Sequence, residues 1–170
     1  MPQPTVSLPK ASILYIEAND LLASPSGTTK VWNKITEHNR SEFGISINRI
    51  ENSVRLSNGS LRKNHIADKA SFNVSWQMLP SYRTLTVDGG WGAEDLRSFY
   101  LSDNGKKEFN IRINLAKTGI DYSSTGTAYT PTMLQTTSEL YSVVFTNCDF
   151  TVVKRGLQPH WNISLSMSEV

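Results

Sequence analysis

Residues 43–78 read FGISINRIENSVRLSNGSLRKNHIADKASFNVSWQM. Phe43, Ile45 and Ile47 alternate with Gly44, Ser46 and Asn48. A period of two marks a strand with one buried face. The apolar phase then shifts to Ile50, Val54 and Leu56. Such a shift inside one extended run is what a β-bulge produces. Ser57-Asn58-Gly59-Ser60 predicts a hairpin tip, with Asn-Gly supplying the positive φ of a type I′ turn. Leu61 to Ile66 is the returning arm. Phe72, Val74, Trp76 and Met78 alternate with Asn73, Ser75 and Gln77 until Pro80 ends the strand.

The same period recurs on both sides. Upstream, Ala11–Glu17 predicts a first strand, and Val31–Ile35 a short strand or a loop anchored by Trp32. Downstream, Phe109, Ile111, Ile113 and Leu115 alternate with Asn110, Arg112 and Asn114. Tyr141, Val143 and Phe145 give way to Cys148, Phe150 and Val152, which predicts a second bulge near Asn147. Trp161, Ile163, Leu165 and Met167 alternate with Asn162, Ser164, Ser166 and Ser168. Arg83–Val87 reads as a brief strand or connector. Only Ala93–Leu101 changes period: Leu96, Phe99 and Tyr100 share a helical face, with Glu94 and Asp95 in the first turn. The expected fold is mainly β, a sandwich or barrel of about seven to nine antiparallel strands, with one short helix near 93–101.

The chain has 170 residues, which predicts a single domain. Pro2, Pro4 and Pro9 make residues 1–10 an extended arm. Residues 118–137 lack a period and read as a long loop. Charged residues are only 19%, and their place is taken by 49 Ser, Thr and Asn. Placed on alternating strands, these make short polar sheet faces: Asn73, Ser75 and Gln77; Asn110, Arg112 and Asn114; Asn162, Ser164 and Ser166. Such a face lies in water, lines a polar channel or packs on another subunit. The polar hairpin has little core to hold, so Arg55, Asn58, Gly59, Arg62 and Lys63 are candidates for subunit contact.

Other functions find less support. A net charge of +2 argues against a DNA-coating protein. One cysteine, Cys148, excludes an intramolecular disulfide framework and thiolate zinc clusters. It sits on the apolar phase and reads as packing. His38, His65 and His160 have no ligand spacing, so no metal or cofactor is expected. Asp88-Gly89-Gly90-Trp91-Gly92 opens a helix like a phosphate cradle but lacks the Gly-Lys-Ser/Thr ending. No nucleophile or carboxylate pair suggests an enzyme. Short apolar runs exclude a membrane-spanning helix, and the N-terminus lacks the features of a signal peptide. Tyr122, Tyr129 and Trp91 are the aromatics that a glycan-binding module would need to expose.

Two combinations carry a family resemblance: N-R-x-x-N … K-x-H-x-A-D-K … S-W-x-M-L-P from Asn48 to Pro80, and V-V-K-R-G … W-N-x-S … E-V from Val152 to Val170. They resemble the small tail proteins of tailed bacteriophages, described as tail tube or minor tail proteins. The resemblance implies a sandwich or barrel with a flanking helix, a long hairpin and an arm or loop. It implies hexameric rings whose inner strands join into one barrel, stacked into a tube that conducts DNA without binding it specifically. Its partners would be copies of itself and other tail proteins, in a virion tail assembled in the host cytoplasm. A tail-tip, baseplate or terminator component is the alternative. The resemblance implies no catalytic residues and no cofactor.

Overall fold

The computed structural model describes residues 12–19, 30–117, 135–154, 156 and 158–170. The described residues form seven strands: β1 Leu14–Asn19, β2 Lys30–Lys34, β3 Arg40–Arg55, β4 Leu61–Pro80, β5 Phe109–Lys117, β6 Gln135–Lys154 and β7 His160–Glu169. They form one antiparallel sheet in the order β2-β1-β5-β6-β7-β4-β3. The helix, α1, is Ala93–Leu101, where its period placed it. Arg83–Leu85 is a turn of 3-10 helix and not a strand. The N-terminal arm and residues 118–134 of the long loop lie outside the described residues, and Gln135–Thr137 already belong to β6.

The connection from β2 to β3 sets the shape. These strands are the opposite edges of the sheet, yet only residues 35–39 join them. A flat sheet of seven strands would put its edges about 29 Å apart. The six Cα–Cα steps from Lys34 to Arg40 reach at most about 22 Å. The sheet therefore rolls, and the linker closes across the roll. The Ile35 amide donates to the Leu14 carbonyl, the Trp76 Nε1 to the Thr36 carbonyl at 3.0 Å, and the Gln77 amide to the Asn39 carbonyl.

Rolling brings both halves of the sheet onto one core. Leu14 and Ile16 of β1, Ile111 and Ile113 of β5, Phe72, Val74 and Trp76 of β4, and Ile163 and Leu165 of β7 are buried together. Phe99 of α1 joins them, packing edge-on to Phe109 with ring centroids 5.3 Å apart. The Asp95 carboxylate accepts the Gly92 and Arg83 amides and fixes the helix start. It thus satisfies one of the donors that a helix N-terminus leaves open.

The irregularities lie where strands must bend. Thr146 is the extra residue of β6 between Phe145↔Met167 and Asn147↔Ser166, which bears out the bulge near Asn147. It stands where β6 passes from β5 to β7 as its main partner, so it turns the sheet corner. The phase shift at Ile50 has a different origin. β3 keeps its alternation there, and the extra residue is Ile66 on β4, between Ile50↔Ala67 and Glu51↔His65. Ile50 and Val54 lie on the opposite face of β3 from Phe43 and Ile45. The segments 61–66 and 72–78 are parts of one twenty-residue strand.

Trp76 is 1% exposed and carries the bond that closes the roll. Trp76→Ala is expected to lose about 3–5 kcal/mol, read from the midpoint of urea unfolding at unchanged slope.

Candidate functional site

Four strands build a polar wall on the outward face. Register places Glu42, Ser75, Ser164 and Asp149 in one row across β3, β4, β7 and β6. Gly44, Asn73, Ser166 and Asn147 form the next row, and Ser46, Ser71 and Ser168 the one beyond. Asn162 lies opposite Thr151. The small side chains bond to one another: Ser166 Oγ donates to Asn73 Oδ1 at 2.8 Å, and Ser41 and Ser75 hydroxyls lie 2.8 Å apart. Asn162 Oδ1 accepts the Met78 amide, where β4 bulges with φ +55°. The acidic members of these rows are Glu42 and Asp149, and no Lys or Arg stands in them. Asn73, Ser75, Gln77, Asn162, Ser164 and Ser166 are thus brought together.

Asn110, Arg112 and Asn114 are not part of that wall. β5 lies across the core from β4 and β7, so its polar side looks the other way. Asn110 Nδ2 donates to Glu17 Oε2, and Asn114 Oδ1 accepts the Ser138 hydroxyl. The Arg112 guanidinium carbon lies 4.5 Å from the centroid of the Tyr15 ring and 5.0 Å from that of Trp32. It reaches over β1 toward edge strand β2. The sequence shows Arg112 only as one polar position in an alternating strand. The signal it did hold was Tyr15 and Trp32 on neighbouring strands, which becomes readable only with the pairing.

The β3–β4 hairpin is an arm. β7 accompanies β4 only from Ser71 onward, so residues 61–69 have β3 as their strand partner. That leaves a two-stranded ribbon of about 30 Å. Its core-side face carries a charge ladder: Arg49 Nε and His65 Nε2 each lie 3.0 Å from Asp68 Oδ1, and Lys63 Nζ lies 2.5 Å from Glu51 Oε1. Hydrogen bonds from Arg49 and His65 hold the Asp68 carboxyl below its usual range, and Lys63 does the same for Glu51. Depressed carboxyls keep these pairs ionised through the ordinary carboxylate range and release them only as pH falls through their own lowered values. Lys63 is therefore paired within the arm, while Arg55 and Arg62 are exposed beside the tip.

The tip corrects the turn type. The Gly59 amide donates to the Leu56 carbonyl, which makes Ser57 and Asn58 the central residues. Neither has positive φ; Gly59 does, at +81°. This is a three-residue loop with a glycine bulge, not a type I′ turn. Asn58 Oδ1 accepts the Ser60 amide and hydroxyl and braces it.

Other candidate chemistry dissolves into packing. Trp91 is buried against Phe99. Asp88 fills its own glycine-rich turn, accepting Thr36 Oγ1 and the Glu37 and Gly90 amides. Burial pushes this carboxyl up, but those bonds and Lys34 outweigh it and hold it low. A Cβ at Gly90 would stand 2.6 Å from the Thr36 nitrogen, so this glycine permits close backbone approach and not a phosphate. Among the described residues no group of three His, Cys, Asp or Glu could hold a metal ion.

No protein-family model and no curated protein matches the sequence. The chain is similar in fold to a chain in the tail of an empty gene transfer agent (GTA) particle refined with C6 symmetry. The TM-score is 0.50 at 13% identity, covering 92% of this chain and 90% of that one. It is likewise similar to a chain of the virion of a native GTA particle, with TM-score 0.50 and 12% identity over 93% and 91% of the two chains. At such identities the likeness is one of fold: a mainly β architecture with one helix.

Two variants test these local readings. Gly59→Val forces a β-branched residue into positive φ and is expected to destabilise by about 1–2 kcal/mol in urea unfolding. At Cys148, burial first and Asp149 second push the thiol up to about 12. Alkylation of the native protein by iodoacetamide at pH 8 is expected to be at least about a hundredfold slower than in the urea-unfolded chain.

Proposed function

We propose that this chain is a structural protein of a phage-type tail whose copies assemble into rings and stack as a tube. The observation that carries the reading is the wall on β3, β4, β7 and β6, four strands wide, whose rows are mainly Ser and Asn, with Glu42 and Asp149 as their charged members and no Lys or Arg. Placed inward, such a wall offers passing phosphates no cations to hold them. The fold-level similarity to chains of a GTA tail and virion supports the same reading. β3 adds an argument from sheet physics. It is a sixteen-residue edge strand, with Ile45 and Ile47 exposed and no covering element among the described residues. Edges of that kind pair with another chain. The exposed hairpin arm, with Arg55 and Arg62 beside its tip, reaches a neighbouring copy.

In this reading the partners are further copies and other tail proteins, and viral DNA passes through without specific contact. The protein works in the virion tail after assembly in the host cytoplasm, and it performs no catalysis.

Negative-stain electron microscopy of the concentrated protein is expected to show sixfold rings or short tubes. A monodisperse monomer at every concentration would overturn the reading. Ser75→Lys/Ser164→Lys is expected to preserve rings but slow DNA ejection by roughly tenfold in a phage carrying it. Ejection at the normal rate would mean that this face is not the channel wall.

A further inference from the structure

Apolar side chains stand exposed at both ends of the polar wall, on its core side. On β3, Ile45 and Ile47 lie opposite the buried Phe72 and Ala70, so they share the core-side face. Ile47 is nevertheless 69% exposed, and among the described residues no strand pairs the far side of β3. At the other end, β5 accompanies β6 only as far as Val143. From Thr146 on, β7 pairs one side of β6, and among the described residues no strand pairs the other. Phe150 and Val152 lie opposite Ile163 and Trp161, so they also take the core side, and Val152 is 41% exposed. The helix α1 lies against this free edge. Tyr100 packs edge-on to Phe145 with ring centroids 5.4 Å apart, and Leu101 is 54% exposed. A cavity of about 380 Å³ opens there, lined by Tyr100, Leu101, Val144, Phe145 and Lys106.

Single exposed apolar side chains are ordinary, but here they gather at the two free edges of one sheet and on the same face of it. Strand direction favours a second copy as the occupant. From β6 to β3 the wall has four strands, each antiparallel to the next, so β3 runs opposite to β6. Rotation about a ring axis leaves β6 of every copy pointing the same way along that axis. β3 of one copy therefore meets β6 of the next antiparallel, and the alternation of the sheet continues across the seam. The polar rows then stay together on one face, while Ile45 and Ile47 arrive on the side where α1 lies.

We propose that the groove between α1 and the free edge of β6 receives Ile45 and Ile47 from β3 of the next copy. This rests on the ring reading and names its contact. The contact joins opposite edges, so it is heterologous, the kind that closes into a ring when the rotation fits. Backbone pairing of two edges tolerates many registers. The isoleucines fix one parity, because a slip of one residue would turn them onto the polar face.

Charge and cross-linking test it. Ile47→Lys and Leu101→Glu alter exposed side chains, and native circular dichroism is expected for both. Each should raise the concentration for ring assembly at least about tenfold in sedimentation velocity. The double variant should recover most of that loss, because every seam then sets a lysine against a glutamate. In a Cys148→Ala background, Leu101→Cys combined with Ile45→Cys or Ile47→Cys should oxidise to a ladder of covalent oligomers, which the single cysteines do not form. Rings of Ile47→Lys and Leu101→Glu at the wild-type concentration would overturn the contact and leave the ring reading standing. Weakened single variants with no recovery in the double and no cross-link would also overturn it. Cross-linking of Leu101→Cys to Ser7→Cys in place of the isoleucine positions would assign the groove to the N-terminal segment and overturn the proposal. Wild-type protein that never assembles would overturn both readings. If a charged variant does not fold, the cross-linking pairs decide.

Discussion

The five residues 35–39 constrain everything else. They tie the two edges of a seven-stranded sheet together over a distance that a flat sheet would exceed. Once the sheet is rolled, its inner face becomes a shared core, and its outer face splits into two surfaces that look in opposite directions. Trp76 secures that closure from β4 with a buried indole bond to Thr36. The core is then a consequence of closure as well as of apolar residues, since β1 and β5 reach β4 and β7 only across the roll.

Closure explains the bulges. A continuous strand that must leave one neighbour for another needs a local bend, and an extra residue supplies it. Thr146 does this in β6. Ile66 does it in the arm, beyond the last residue that β7 pairs. Past that point the two strands have only each other among the described residues, and their stability moves from burial to register and to the ladder of Arg49, Asp68, His65, Glu51 and Lys63. Exposed pairs of this kind contribute little each, so the arm's shape comes mainly from its backbone pairing and its glycine tip.

Strand periodicity was legible in the sequence because alternation is a local property. Phe109 to Leu115 and Trp161 to Met167 announce their buried faces residue by residue, and Leu96, Phe99 and Tyr100 announce the helix. The Asn-Gly tip was legible as a turn. Its type was not, because hydrogen bonding one residue earlier selects which residues are central. The Ile50 phase shift was legible as an irregularity. Its cause was not, because a residue added to β4 and a change of apolar face on β3 leave the same trace in one strand.

Strands, helix, hairpin and small polar faces were all readable from residue order, since each depends on neighbours along the chain. Which polar faces belong together depended on how the strands pair. Asn73, Ser75, Asn162 and Ser164 share a wall because β4 and β7 are paired. Arg112 belongs elsewhere, against Tyr15 and Trp32, because the roll turns β5 to the far side. Strand order and sheet closure are set by long-range pairing and by the reach of a linker, and no local period encodes either.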